Sequence, residues 1–295
     1  MAERICRDCP RNCGVPRGSG FCGMPDEIRI ARAAPHYGEE PCISGTRGSG
    51  TVFFSGCNLR CVFCQNYDIS TGRYGETVAP ERLRDIFLEL QDSGVHNVSL
   101  VTGNHYVNQI AWALEAAKLN IPVVWNSSGY DSVEALRKLD GLVQIYMPDL
   151  KYLSPALAAR YSAAPDYPQV AVKAIREMYR QVGNFVIGED DILQKGVLIR
   201  HLILPGELDN SFDVIDYVAE NYPGDRVLFS LMSQFTPTAH CPENLRRGLT
   251  QAEYDRCDSY LSLSGIECGF FQELAASGTE MIPDFDLTGV NEPAK

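Results

Sequence analysis

The chain has 295 residues, 45% hydrophobic and 22% charged, with a formal net charge of −12. That is ordinary globular composition and excludes collagen-like, disordered and low-complexity chains. The acidic balance, with no Lys/Arg-rich run, argues against nucleic acid and anionic membranes as partners. No stretch approaches 18 uninterrupted apolar residues and the first residues hold no apolar signal core, so a cytoplasmic protein without membrane contact is expected.

Eleven cysteines are the anomaly, and eight of them fall between Cys6 and Cys64. In a reducing compartment an odd number reads as metal ligands or catalytic thiols rather than disulfides. Residues 1–50 read as an irregular Cys-rich segment. Within it Cys6, Cys9, Cys13 and Cys22 form C-x2-C-x3-C-x8-C, with Gly14 and Gly23 after the last two. Four thiols suffice for zinc or for an iron–sulfur cluster, and the spacing leaves that choice open. A metal would explain how a segment with no apolar period becomes ordered.

From Thr51 the pattern turns into alternating strands and helices. Short β-branched or aromatic runs predict strands at 51–55, 97–101, 123–126, 144–148, 197–204 and 226–232. Leu83, Ile86, Phe87 and Leu90 lie on one helical face after Pro80, and Ile110, Ala113, Leu114 and Ala117 repeat that spacing. Further helices are expected at 132–139, 168–182, 211–221 and 250–263. Six strand–helix pairs imply a parallel α/β sheet, either doubly wound or a partial (β/α)6 barrel, with ligands at the carboxyl ends of the strands. Residues 51–282 read as one domain and 283–295 as a tail.

The loop after the first predicted strand holds Cys57, Cys61 and Cys64 as C-x3-C-x2-C. Three thiolates can hold three corners of a cubane iron–sulfur cluster and leave the fourth iron open. A zinc knuckle with a fourth ligand from elsewhere is the alternative. No G-x-G-x-x-G follows the first predicted strand and no P-loop sequence is present, which argues against a nucleotide-binding module.

This motif after the first strand of such a pattern resembles the radical S-adenosylmethionine (SAM) superfamily. The segments 48–56, 146–152, 200–206, 231–237 and 283–285 are similar to proteins related to pyruvate formate-lyase activating enzyme. The resemblance implies a partial (β/α)6 TIM-like barrel. It implies a [4Fe-4S] cluster on Cys57, Cys61 and Cys64, with SAM chelating the open iron. Reductive cleavage of SAM would yield a 5′-deoxyadenosyl radical that takes hydrogen from an unknown substrate, as in a glycyl-radical-enzyme activase. It also implies an electron donor such as flavodoxin or ferredoxin and admits a protein substrate. A non-catalytic iron–sulfur or zinc-binding protein is the alternative.

The strand ends then carry the SAM contacts. Relatives place a Gly-Gly-Glu-like segment after the second strand, where this chain reads Thr102-Gly103-Asn104. Thr102 or Asn104 is the expected substitute for that carboxylate. Asn126 and Ser128 suit ribose hydroxyls or a carboxylate. Asp149 and Lys151, two apart, point to one side and can hold a zwitterion. Arg200 and His201 face opposite ways from an apolar run. If Arg200 faces inward, it can fork onto the SAM carboxylate.

Overall fold

The structure is a computed structural model that describes residues 4–274 and 282–291. In chain order the strands are β1 (Ile28–His36), β2 (Ser49–Phe54), β3 (Glu76–Val78), β4 (Val98–Val101), β5 (Val123–Ser127), β6 (Ile145–Pro148), β7 (Val186–Ile187), β8 (Leu193–Leu202), β9 (Leu228–Met232) and β10 (Gly269–Phe271). The α-helices are α1 (Pro41–Ser44), α2 (Tyr67–Ser70), α3 (Pro80–Asp92), α4 (Val107–Ala117), α5 (Val133–Arg137), α6 (Pro155–Ser162), α7 (Tyr167–Val182), α8 (Leu208–Asn221) and α9 (Gln251–Leu263). The sheet runs β10-β9-β8-β6-β5-β4-β2-β1-β3, with β7 paired to β8. All pairs from β2 through β10 along that path are parallel. The sheet is not closed, so the expected partial (β/α)6 barrel is present, extended by β10 at one edge.

The other edge departs from expectation. Residues 28–36 form a nine-residue strand antiparallel to β2, and β3 pairs beyond it. The run Ile-Arg-Ile-Ala-Arg-Ala-Ala alternates poorly because both of its faces are covered, so its period is masked. The sheet therefore begins well before Thr51. The described part of the tail also belongs to it: Leu287 N–H donates to Ala31 O at 3.0 Å and Ala33 N–H to Thr288 O at 2.8 Å. Phe285 packs edge-on against Phe53, 5.4 Å between ring centres.

Alternation along each strand sorts two layers. Trp125, Tyr146, Ile199 and Phe229 point out and pack under the helices. Val124, Ile145, Met147, Leu198 and Leu228 point into the barrel, where they meet Cys42 and Ile43. Helix α1 is thus a plug. The turn from β1 back to β2 enters the barrel from its amino-terminal end and closes the floor. Ile43 is fully buried there. Ile43→Ala should lower stability by about 2–4 kcal/mol, the usual cost of a core cavity. Urea unfolding should show an earlier midpoint with an unchanged slope.

Candidate active site at the carboxyl ends of the strands

The cysteine loop leaves β2 through Gly56, whose φ is +82° and whose absent Cβ would meet Met24 Cγ at 2.1 Å. Only glycine combines that turn with that approach. Asn58, fully buried, donates from Nδ2 to Tyr130 O at 2.7 Å, and Val62 N–H donates to Tyr161 O at 2.9 Å. These bonds tie the loop to the ends of β5 and α6.

The three sulfurs each have a polar neighbour. Leu59 N–H donates to Cys57 Sγ at 3.3 Å. The Ser162 hydroxyl lies 3.0 Å from Cys61 Sγ, and the Ser70 hydroxyl 3.2 Å from Cys64 Sγ. Burial, with Cys61 and Cys64 beside it, pushes Cys57 well above the usual thiol range, and burial with Cys61 beside it raises Cys64. Protonated thiols release their protons when they ligate a metal. Cys61 and Cys64 face a cleft of about 270 Å³. Phe63, 6% exposed, stands at its wall, edge-on to Phe235. Three thiols of one loop, two of them open to a cleft and two bonded by hydroxyls, fit the cluster that the resemblance implies.

Opposite the cysteines, the cleft is lined by charge. Each residue continues an inward-facing row: Val124 to Asn126, Met147 to Asp149 and Lys151, Leu198 to Arg200. Lys151 Nζ donates to Asp149 Oδ2 at 2.6 Å. Arg200 spends all three nitrogens. Nε donates to Asp149 Oδ1 at 3.1 Å, Nη1 to Glu39 Oε2 at 2.9 Å and Nη2 to Asn126 Oδ1 at 2.8 Å. Asn126 Nδ2 in turn donates to Glu39 Oε1 at 3.0 Å. Burial would raise Asp149, but Lys151 and Arg200 outweigh it and hold the carboxyl below its ordinary value. Glu39 is raised by burial, against the pull of Arg200.

The sequence-derived residues divide. Asn126, Asp149, Lys151 and Arg200 converge on the cleft. Thr102, Asn104 and Ser128 are not among its described lining residues. Asn104 is 2% exposed and donates from Nδ2 to Asp131, which also accepts from Trp125 Nε1 at 3.1 Å and Ser127 Oγ at 2.6 Å. Ser128 accepts at its carbonyl from the Tyr167 hydroxyl at 2.8 Å, and its own hydroxyl is buried with no protein partner. Glu39 is the residue that sequence reasoning passed over. It sits on the plug turn, outside every strand end, and no spacing ties it to the barrel.

His201 faces outward, as alternation requires. Its Nδ1 lies 2.7 Å from Leu150 O and its Nε2 2.9 Å from Ser211 Oγ of α8. It props the backbone between Asp149 and Lys151. Burial lowers it to about 4, against a slight rise from the Leu150 bond. A histidine held neutral in the fold stabilises fully above its unfolded value of about 6.5 and loses that contribution as pH falls toward 4. Between pH 7 and 5 this group should remove about 1–2 kcal/mol of stability. His105, buried and lowered to about 4 as well, adds a like slope, so urea titrations should show a slope smaller by about that amount in His201→Gln than in the wild type.

The chain matches the family model described as the radical SAM superfamily over residues 51–217. It is 30% identical over 265 residues to the uncharacterized protein MJ0674 of Methanocaldococcus jannaschii, covering 85% of this chain and 72% of that protein. Streptococcus suis SuiB has a similar fold, with a TM-score of 0.51 at 15% identity, covering 74% of this chain and 47% of SuiB. SuiB bound to S-adenosylmethionine matches at 0.50 and 14% identity, covering 74% of this chain and 48% of SuiB. The chain thus spans about half the length of those solved structures. With the motif at the carboxyl end of β2, the open parallel barrel and a family match over more than half its length, the chain belongs to the radical SAM superfamily.

Proposed function

We propose that the protein reductively cleaves SAM at a [4Fe-4S] cluster held by Cys57, Cys61 and Cys64 and takes hydrogen from a substrate. The observation that carries this is the opening of Cys61 and Cys64 into a cleft whose far wall is Asn126, Asp149 and Lys151. When bound, the cluster and SAM supply one-electron cleavage of a sulfonium and radical hydrogen abstraction.

The chain's own residues bind and orient. Lys151 and Asp149 present a cation and an anion on one wall, matched to the carboxylate and ammonium of an amino acid. Asn126 supplies an amide between them. Arg200 holds Asn126 and Asp149 in place. Its nitrogens are already committed, which makes it a positioning residue rather than a free fork for the SAM carboxylate. Phe53, Phe63 and Phe235 exclude water from the cleft.

The electron comes from a low-potential donor such as flavodoxin or ferredoxin. For the substrate, an activase-type reaction on a polypeptide segment is the favoured reading. A wider, open concavity of about 710 Å³ adjoins the cleft and shares Gln65, Ile282 and Pro283 with it. A chain segment could lie there with one residue reaching inward.

Anaerobically reconstituted protein with dithionite and SAM should form 5′-deoxyadenosine. Cys57→Ala, Cys61→Ala and Cys64→Ala should each abolish it. Substantial product from any of the three would end this assignment.

A further inference from the structure

Four thiols remain that the reaction site does not use. Cys6, Cys9 and Cys22 are buried, at 4, 8 and 8% exposure, and Cys13 is partly so. The chain folds back on itself to bring them together: Gly14 N–H, next to Cys13, donates to Cys6 O at 3.0 Å, Asn12 N–H donates to Cys9 O at 3.0 Å, and Phe21 N–H, next to Cys22, donates to Cys13 Sγ at 3.4 Å. Arg17 Nη1 likewise reaches Cys6 Sγ at 3.5 Å, so two of the sulfurs meet donors. A neutral thiol is a weak acceptor, so donors aimed at these sulfurs suit thiolates. Gly14 and Gly23, directly after Cys13 and Cys22, both have φ of +67° and turn the chain tightly beyond each sulfur.

The surrounding segment needs such a centre. Residues 4–27 contain no helix or strand, only the bridge between Ile5 and Pro16. Their buried apolar side chains besides the thiols reduce to Met24. A chain this poor in core is ordered by a cross-link or a metal.

Among the described residues no three His, Cys, Asp or Glu side chains gather as ligands of an ion, Cys57, Cys61 and Cys64 included. Four thiolates suit tetrahedral zinc or the four irons of a cubane, and the metal content separates the two.

We propose that Cys6, Cys9, Cys13 and Cys22 bind a second [4Fe-4S] cluster, with every iron ligated by the chain. This goes beyond the SAM reaction and does not rest on it. The centre lies against the back of the first cysteine loop. Arg11 donates to Asn58 O at 2.8 Å, Ala163 O at 2.6 Å and Ser162 O at 3.2 Å, while its guanidinium lies 3.8 Å over the Phe21 ring. Arg60 stacks on the same ring from the other loop, at 4.5 Å. A centre that orders residues 6–22 therefore also braces Cys57–Cys61.

The test counts iron, acid-labile sulfide and zinc per chain in anaerobically reconstituted protein. The wild type should hold about eight irons and eight sulfides. The triple variant Cys57→Ala/Cys61→Ala/Cys64→Ala should keep about four irons, with a reduced electron paramagnetic resonance signal indifferent to SAM. The wild-type count decides the matter even where a variant fails to fold. About four irons with one zinc in the wild type, or about four irons that vanish in the triple variant, would overturn the second cluster. Either result would leave the first cluster standing. Loss of SAM cleavage with all eight irons present would instead fault the reaction and leave the second cluster intact.

Discussion

Arg200 is the interaction on which the site depends. A guanidinium inside a barrel costs several kcal/mol of desolvation unless every nitrogen is matched. Here one donates to Asp149 beyond β6, one to Asn126 of β5 and one to Glu39 of the plug. One side chain of β8 thereby joins two other strand ends and the turn that closes the floor. The cleft above it inherits its shape from that junction. Asp149, held ionised by Lys151 and Arg200, can face the cleft without a bound partner.

The same economy governs the cysteine loop. It is fixed by its neighbours rather than by regular structure: Asn58 to Tyr130, Val62 to Tyr161, Arg11 to Asn58. Ser162 at the end of α6 reaches both Cys61 Sγ and the Tyr152 hydroxyl. A loop anchored on three sides presents its sulfurs with little conformational entropy left to lose when a cluster binds. The Cys-rich segment supplies one of those sides, so its order and the order of the reaction site are linked.

Much of this was legible because of the two-residue period of strands. Alternation alone puts Asn126 on the face of Val124 and sets Arg200 opposite His201. Which of those two enters the barrel is decided by the partners waiting there, Asp149, Asn126 and Glu39 for Arg200. The motif at Cys57 pointed to the family because its spacing is rare. Where the period was masked, reading failed. Strand β1 is covered on both faces and looked irregular, and the short β3, β7 and β10 carry too few residues to show a period. Glu39 was invisible for a deeper reason. Its place inside the barrel comes from a turn that folds back through the floor, which is a tertiary fact with no local signature. Asn104, a polar residue at the expected strand end, spends its amide on Asp131, a partner its place in the sequence does not announce.

The most direct test is spectroscopic. Protein reduced by dithionite would be frozen with and without SAM, and its iron–sulfur signals compared by electron paramagnetic resonance. Direct chelation of an open iron predicts a signal that changes on SAM addition, and no SAM-sensitive signal in Cys61→Ala. Iron–sulfur signals that are the same with and without SAM would contradict the account at its centre.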